Sequence, residues 1–121
     1  MATLEQAIRN RYLHVDRTTI RVPQWDFDDY TCEFHIFART PAQGAEVERL
    51  DNSRDIFLHA AKTRCKNEDG SPAIGDDAVR AIKERGEDWL LLEIGKKIVD
   101  FDNETGERNA KQFAEANAGN S

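Results

Sequence analysis

Alternating hydrophobic and polar residues predict a β-hairpin in the first third of the chain. Residues 18–23 alternate between apolar and polar side chains, which is typical of a strand with one buried face. The alternation is clearer over residues 30–39, where the face expected to be buried carries Tyr30, Cys32, Phe34, Ile36 and Ala38. Pro23 has no backbone N–H to donate to a strand partner, so we expect it to end the first strand or to lie at an edge.

Helical spacing of apolar residues predicts helices on both sides of the hairpin. Thr3 with Gln6 forms a capping-box pattern at the start of a short helix, with Leu4, Ile8 and Leu13 on its apolar side. Further helix starts are indicated at Thr40-Pro41-Ala42-Gln43, at Asn52 or Ser53, at Ile74-Gly75-Asp76-Asp77 and at Glu87. Residues 66–72 carry turn chemistry and predict a loop.

The strongest helical pattern covers residues 87–101 and predicts the centre of the core. Leu91, Ile94, Ile98 and Phe101 form one stripe on this helix, and core packing is the favoured interpretation for Trp89. We expect the hairpin to pack on this helix and to bury Phe34, Ile36, Leu91, Ile94 and Ile98.

The order of these elements predicts an α+β fold, with an N-terminal β-hairpin packed on a mainly α-helical domain. Residues 1–16 form an N-terminal segment with a short helix, and residues 17–102 form a single α+β domain. From residue 103 to residue 121 only Phe113 is a large apolar residue. We therefore expect residues 103–121 to be a flexible tail, with room for a short helix around residues 110–116.

The charge composition of the chain argues against two classes of binding partner. The 121 residues contain 17 Lys and Arg against 23 Asp and Glu, for a net charge of −6. This balance lacks the positive surface that binds a phosphate backbone, so we expect neither nucleic acid nor an anionic membrane as partner. The longest uncharged apolar run, Trp89 to Leu92, is too short to span a bilayer, and no leader pattern opens the chain. We expect Cys32 and Cys65 to be reduced thiols. A single disulfide between them is the alternative that the sequence does not exclude.

The sequence contains no pattern typical of a catalytic or metal site. His14, His35 and His59 are widely separated, and the acidic run that begins at Asp100 lacks the glycine and the final glutamate of a calcium-binding EF-hand loop. Neither cysteine has a histidine neighbour in sequence. The alternative is a Cys–His pair that only the folded chain brings together. We therefore predict no enzyme activity, no cofactor and no metal.

The segment between the two predicted strands has a composition typical of a protein-binding surface. Between the two strands, Trp25 and Phe27 alternate with Asp26, Asp28 and Asp29 in a stretch without Lys or Arg. An aromatic and acidic hairpin end is typical of a partner-binding surface, with Trp25, Phe27, Asp28 and Asp29 as its residues. The alternative is that Trp25 folds back onto the helices and closes one end of the core.

Four short motifs, in order, resemble a known family. Val22-Pro23-Gln24-Trp25 resembles a V-P-x-W strand opening. Residues 67–72 resemble a D-x-D-G-x-P-x-F type loop that follows a helix, with Ile74 where Phe or Leu is usual. Residues 75–82 resemble a T-D-x-D-V-x-A-L helix start, with Gly75 in place of the capping Ser or Thr. Residues 110–113 resemble an A-K-N-F motif. Together they are similar to the tail assembly chaperones of long-tailed, non-contractile (siphovirus) bacteriophages.

The resemblance implies a non-enzymatic assembly factor of the host cytoplasm. Such a protein binds the tape measure protein, keeps its hydrophobic helices soluble, helps recruit tail tube protein and is absent from the mature virion. Self-association is a further expectation. The alternative function is a structural virion protein of the tail or of the head–tail connector.

Overall fold

The fold is α+β, as predicted. The structure is a computed structural model that describes residues 1–119. Its helices are α1 (Leu4–Asn10), α2 (Pro41–Glu48), α3 (Ser53–Arg64), α4 (Asp76–Glu84) and α5 (Asp88–Ala116), and its strands are β1 (Arg17–Arg21) and β2 (Glu33–Phe37). A π-helical turn over Arg11–Val15 joins α1 to β1, and a 3₁₀ turn covers Pro23–Trp25.

The two strands form an antiparallel hairpin that is shorter than the sequence pattern predicts. Arg17 pairs with Phe37 and Arg21 pairs with Glu33, so the hairpin has an open end at Arg17 and a closed end beyond Arg21. Pro23 lies just after β1, in the position expected of a residue that cannot donate to the ladder. Lys66 exchanges two backbone hydrogen bonds with His35, of 2.8 and 3.1 Å, and thereby fastens the loop after α3 to β2.

Local capping interactions account for most helix starts. Thr3 and Thr40 each form a complete capping box, and the Asn52 side chain accepts the Asp55 N–H at the start of α3. Gly75 precedes α4 without a side-chain cap. Gly86, which follows the C-cap residue Arg85 of α4, has a φ of +69°, a conformation that favours glycine. The predicted starts of these helices are therefore confirmed.

The predicted core is confirmed. Phe34, Ile36, Leu91, Ile94 and Ile98 are all buried, in one cluster that also contains Ala60, Ala61 and Cys65 from the end of α3. Helices α3 and α5 cross at Gly95, where a Cβ atom would overlap the backbone carbonyl of Phe57. The absence of a side chain at residue 95 is what allows this close approach.

The last helix is longer than predicted. Its helical pattern was expected to end at Phe101, but α5 continues without a break to Ala116, so the expected boundary between residues 102 and 103 falls inside a helix. Side chains on the extension bind the rest of the molecule: Arg108 donates to the Asp16 carboxylate at 2.6 Å, and Arg11 donates to Asn109. The short helix expected around residues 110–116 is therefore part of a continuous helix that includes residues 103–109. The flexibility expected of residues 103–121 stays a prediction, and residues 120 and 121 lie outside the described residues.

Candidate partner-binding surface

The connection between β1 and β2, residues 22–32, forms an ordered turn at the closed end of the hairpin. Val22 donates its N–H to the Cys32 carbonyl at 3.1 Å, which continues the pairing beyond the strands. Phe27 and Tyr30 then exchange two backbone hydrogen bonds, of 3.1 and 2.7 Å, around Asp28 and Asp29. Asp28 has a φ of 55°, a region that aspartate tolerates better than most residues. The turn therefore holds these two carboxylates at the tip.

Trp25 packs on the core, as one of the two sequence interpretations predicts. Its ring lies edge-on to Phe34, with a centroid distance of 6.3 Å and an interplanar angle of 69°. The residue is half-buried and packs against the hydrophobic cluster. Trp25 therefore closes one end of the core while keeping part of its surface exposed.

The other three candidate residues are exposed together at the tip. Phe27 keeps 76% of its surface accessible, and Asp28 and Asp29 are exposed beside it. Tyr30, which the sequence pattern predicts to be buried in β2, is exposed as well, because it belongs to the turn and not to the strand. The hairpin end thus combines two exposed aromatic rings with two exposed carboxylates.

Asp26 has a structural role within this end. Its carboxylate accepts two hydrogen bonds from Arg21, of 2.9 and 2.8 Å, and one from the Cys32 N–H at 2.7 Å. The Arg21 hydrogen bond, followed by the Cys32 N–H, lowers the pKa of Asp26 to about 2. The ionised carboxylate therefore links the two arms of the connection at neutral pH.

An apolar groove adjoins the hairpin end. A cavity of about 350 Å³ lies between the connection and α4, and it is lined mainly by Trp25, Tyr30, Cys32, Phe34, Ala78, Ala81 and Ile82. Ala78, Ala81 and Ile82 recur at helical spacing, and the small alanine side chains leave space beside the hairpin. Nothing in the sequence pattern indicates that this side of α4 faces the hairpin connection.

Trp89 is a further exposed aromatic residue that the sequence interpretation assigned to the core. It keeps 52% of its surface accessible, so that assignment is wrong. At about 100° per residue, Trp89 lies roughly 200° around the helix from the buried Leu91, which was the available signal. It lies two residues after Glu87, which lines the groove.

The two cysteines are buried free thiols. Burial raises the pKa of Cys65 to about 12, and burial also raises the pKa of Cys32. Both groups are therefore protonated near neutral pH and poorly nucleophilic.

Within residues 1–119, no three His, Cys, Asp or Glu side chains are grouped so as to hold a metal ion. No helix in that range is long and apolar enough to cross a bilayer. Comparison of the chain with protein-family models, curated proteins and solved structures gave no match.

Proposed function

We propose that this chain is a tail assembly chaperone of siphovirus bacteriophages, acting in the host cytoplasm. In this role it binds the tape measure protein, keeps it soluble, helps recruit tail tube protein and is absent from the mature virion. The observation that carries the proposal is the ordered set of four motifs between residues 22 and 113.

The hairpin end supports this proposal by its chemistry. Phe27 and Tyr30 are exposed at the hairpin end, and Tyr30 lines the apolar groove together with the half-buried Trp25. A long amphipathic helix needs such an apolar contact surface to stay soluble. Asp28 and Asp29 suit a partner whose helices carry Lys and Arg next to their apolar side.

In the proposed complex, the aromatic rings and the carboxylates have different tasks. Exposed aromatic anchors dominate the affinity of most interfaces, and truncation of one costs roughly 2 kcal/mol or more. Charges at the rim mainly change the association rate and its dependence on salt. In this complex Phe27 is therefore the side chain that contributes most to partner affinity. The exposed part of the Trp25 ring supplies a further apolar contact for the partner.

The test is co-expression of the tape measure protein with variants of the hairpin end. We expect Phe27→Ala to leave much of the partner insoluble, whereas Phe27→Trp, which keeps an aromatic ring at the same position, retains soluble partner. Trp25→Ala is expected to reduce both partner solubility and the chaperone's own melting temperature, because Trp25 contacts the core. Asp28→Asn with Asp29→Asn keeps the turn but is expected to slow association at low salt. Partner solubility unchanged in folded Phe27→Ala and Trp25→Ala variants would contradict this role for the hairpin end.

A second experiment separates the proposal from a structural role in the tail or the head–tail connector. Mass spectrometry of purified virions is expected to find the tape measure protein without this chain. Stoichiometric amounts of the chain in the particle would instead favour the structural virion protein. A tail tube gene upstream and a very long tape measure gene downstream would favour the chaperone.

A further inference from the structure

A cavity of about 350 Å³ lies at the open end of the hairpin, where the segment before β1, the end of β2 and the loop after α3 meet. Its volume is within the range of cavities that hold small organic ligands. Tyr12, Leu13 and Ala38 supply apolar surface to its lining, and Arg17 and Lys66 supply positive charge. It shares no lining residue with the groove beside the hairpin end, so it is a separate candidate site.

The guanidinium group of Arg17 is fixed at this cavity by three contacts. Nη1 donates to the Leu13 carbonyl at 3.1 Å, and Nη2 donates to Nδ1 of His35 at 2.6 Å. The guanidinium carbon also lies 4.8 Å from the centre of the Phe37 ring. None of these partners is a carboxylate, and a guanidinium has further N–H groups that the two hydrogen bonds do not use. Arg17 is therefore held in place with donors to spare.

The two cations of this cavity have no counter-ion of their own. Arg17 and Lys66 are half-buried, and no carboxylate of residues 1–119 forms an ion pair with either. Arg64, which also lines the cavity, is by contrast paired with Asp102. A positive charge that is partly removed from water loses solvation free energy, which an anion from outside the chain can offset. The two half-buried cations therefore favour an anionic ligand.

The exposed rim of the cavity limits the charge of that anion. Glu68 and Asp69 line the same cavity and are both exposed. The Asp69 carboxylate accepts two hydrogen bonds from Ser71, of 3.0 and 2.6 Å, and is thereby held in its own turn. Because two carboxylates balance the charges of Arg17 and Lys66, a ligand with one negative charge is favoured over a doubly charged phosphate.

The apolar wall of the cavity is already formed. Tyr12 stacks on Phe37, with a centroid distance of 5.7 Å and an interplanar angle of 22°, and it keeps 39% of its surface accessible. Asp16 accepts a hydrogen bond from Arg11 at 3.1 Å, which orders the segment that carries Tyr12 and Leu13. A fixed and partly exposed ring offers a flat contact to a second ring at little cost in ordering.

We propose that this cavity binds a small organic carboxylate with an aromatic ring. The carboxylate accepts hydrogen bonds from Arg17 and Lys66, and the ring packs against Tyr12 and Leu13. Arginine suits a carboxylate because its planar N–H groups match the two carboxylate oxygens. The site lies away from the hairpin end and does not depend on the proposed function.

A nuclear magnetic resonance titration of the full chain with phenylacetate tests this site. We expect saturable shifts of the backbone amides of Tyr12, Ala38 and Gly70, which all line the cavity. Phenylacetamide keeps the ring without the charge and is expected to bind roughly 10-fold more weakly or worse, because charge-assisted hydrogen bonds are lost. Inorganic phosphate keeps negative charge without the ring and is expected to shift these amides only at much higher concentration.

Two lysine variants separate the charge in the cavity from the charge of the whole chain. Lys66→Met removes a lining charge but keeps the backbone hydrogen bonds with His35, and it is expected to raise the dissociation constant for phenylacetate roughly 10-fold. Lys62→Met is the matched control, since it removes the same charge from an exposed position on α3 and is expected to leave the dissociation constant unchanged. Arg17→Met is expected to weaken binding at least as much as Lys66→Met. Circular dichroism checks its fold, and Lys66→Met decides the question should Arg17→Met unfold.

Three results would each overturn the proposal. The first is the absence of saturable shifts with phenylacetate at the highest concentration that keeps the chain in solution. The second is equal affinity for phenylacetate and for phenylacetamide or phosphate, because the charge or the ring would then have no part in recognition. The third is an equal effect of Lys66→Met and Lys62→Met on the dissociation constant.

Discussion

Arg64 and Asp102 form a buried, two-pronged ion pair that joins α3 to α5. Nη1 of Arg64 donates to Oδ2 of Asp102, and Nη2 donates to Oδ1, both at 2.8 Å. Nη2 also donates to the Phe37 carbonyl at 2.8 Å, so the same guanidinium holds the end of β2. The two side chains are only 5% and 10% exposed.

Removal of one partner of this pair is expected to be strongly destabilising. Asp102→Ala leaves the Arg64 charge buried without its counter-ion, and we expect the free energy of unfolding to fall by about 3–5 kcal/mol. Urea denaturation followed by circular dichroism measures this loss. Asp100→Ala removes an exposed carboxylate from the same helix and is expected to change stability by less than about 0.5 kcal/mol. Equal effects of the two substitutions would show that the buried pair does not stabilise the fold.

Two glycines of α5 are expected to respond to alanine in opposite directions. At Gly95 a Cβ atom overlaps the Phe57 carbonyl, so Gly95→Ala must push α3 and α5 apart and is expected to cost roughly 3 kcal/mol or more. At Gly106 a Cβ atom meets open space, so Gly106→Ala is expected to stabilise the helix by about 0.5–1 kcal/mol. Thermal melts of both variants and the wild type measure whether each substitution lowers or raises the melting temperature. A stabilising effect at Gly95 would contradict the close crossing of the helices.

The ion pair between Asp26 and Arg21 is expected to make the stability of the hairpin end depend on pH. The folded state holds the pKa of Asp26 at about 2, below its ordinary value of 3.8, so the carboxylate stabilises the fold above about pH 4. This contribution is lost as the pH falls towards 2. We expect the difference in melting temperature between wild type and Asp26→Asn to be largest at pH 5–7 and to shrink between pH 4 and pH 2. The exposed Asp29, studied as Asp29→Asn, is the control, and a difference for Asp26→Asn that does not change with pH would contradict the role of the ionised pair.

Both thiols are expected to react slowly in the native protein. Burial of Cys32 and Cys65 limits reagent access and raises the pKa of each thiol, to about 12 for Cys65. Titration with a thiol-specific disulfide reagent at neutral pH is therefore expected to label neither group rapidly, and to label both after addition of denaturant. Fewer than two reactive thiols in the denatured, unreduced protein would reveal a disulfide and contradict the free cysteines.

Much of the fold follows from local sequence, because local interactions decide it. Capping boxes at Thr3 and Thr40 and the asparagine cap at Asn52 each involve residues three positions apart, so a linear pattern contains the whole interaction. The stripe of Leu91, Ile94 and Ile98 needs only the helical period to predict a buried face. The candidate site was predictable to the same extent, since the aromatic and acidic residues of the hairpin connection adjoin one another in the chain.

The sequence by itself therefore determined the α+β class, the helix starts, the five core residues and the hairpin end. Only the tertiary structure decided that Trp25 packs on Phe34, that α4 supplies one wall of the groove and that Trp89 is exposed. It also decided that α5 continues past Phe101, where Asp16 meets Arg108 across 92 positions of sequence. Each of these depends on contacts between residues far apart in the chain, and the periodicity of one segment carries no information about which other segment it meets.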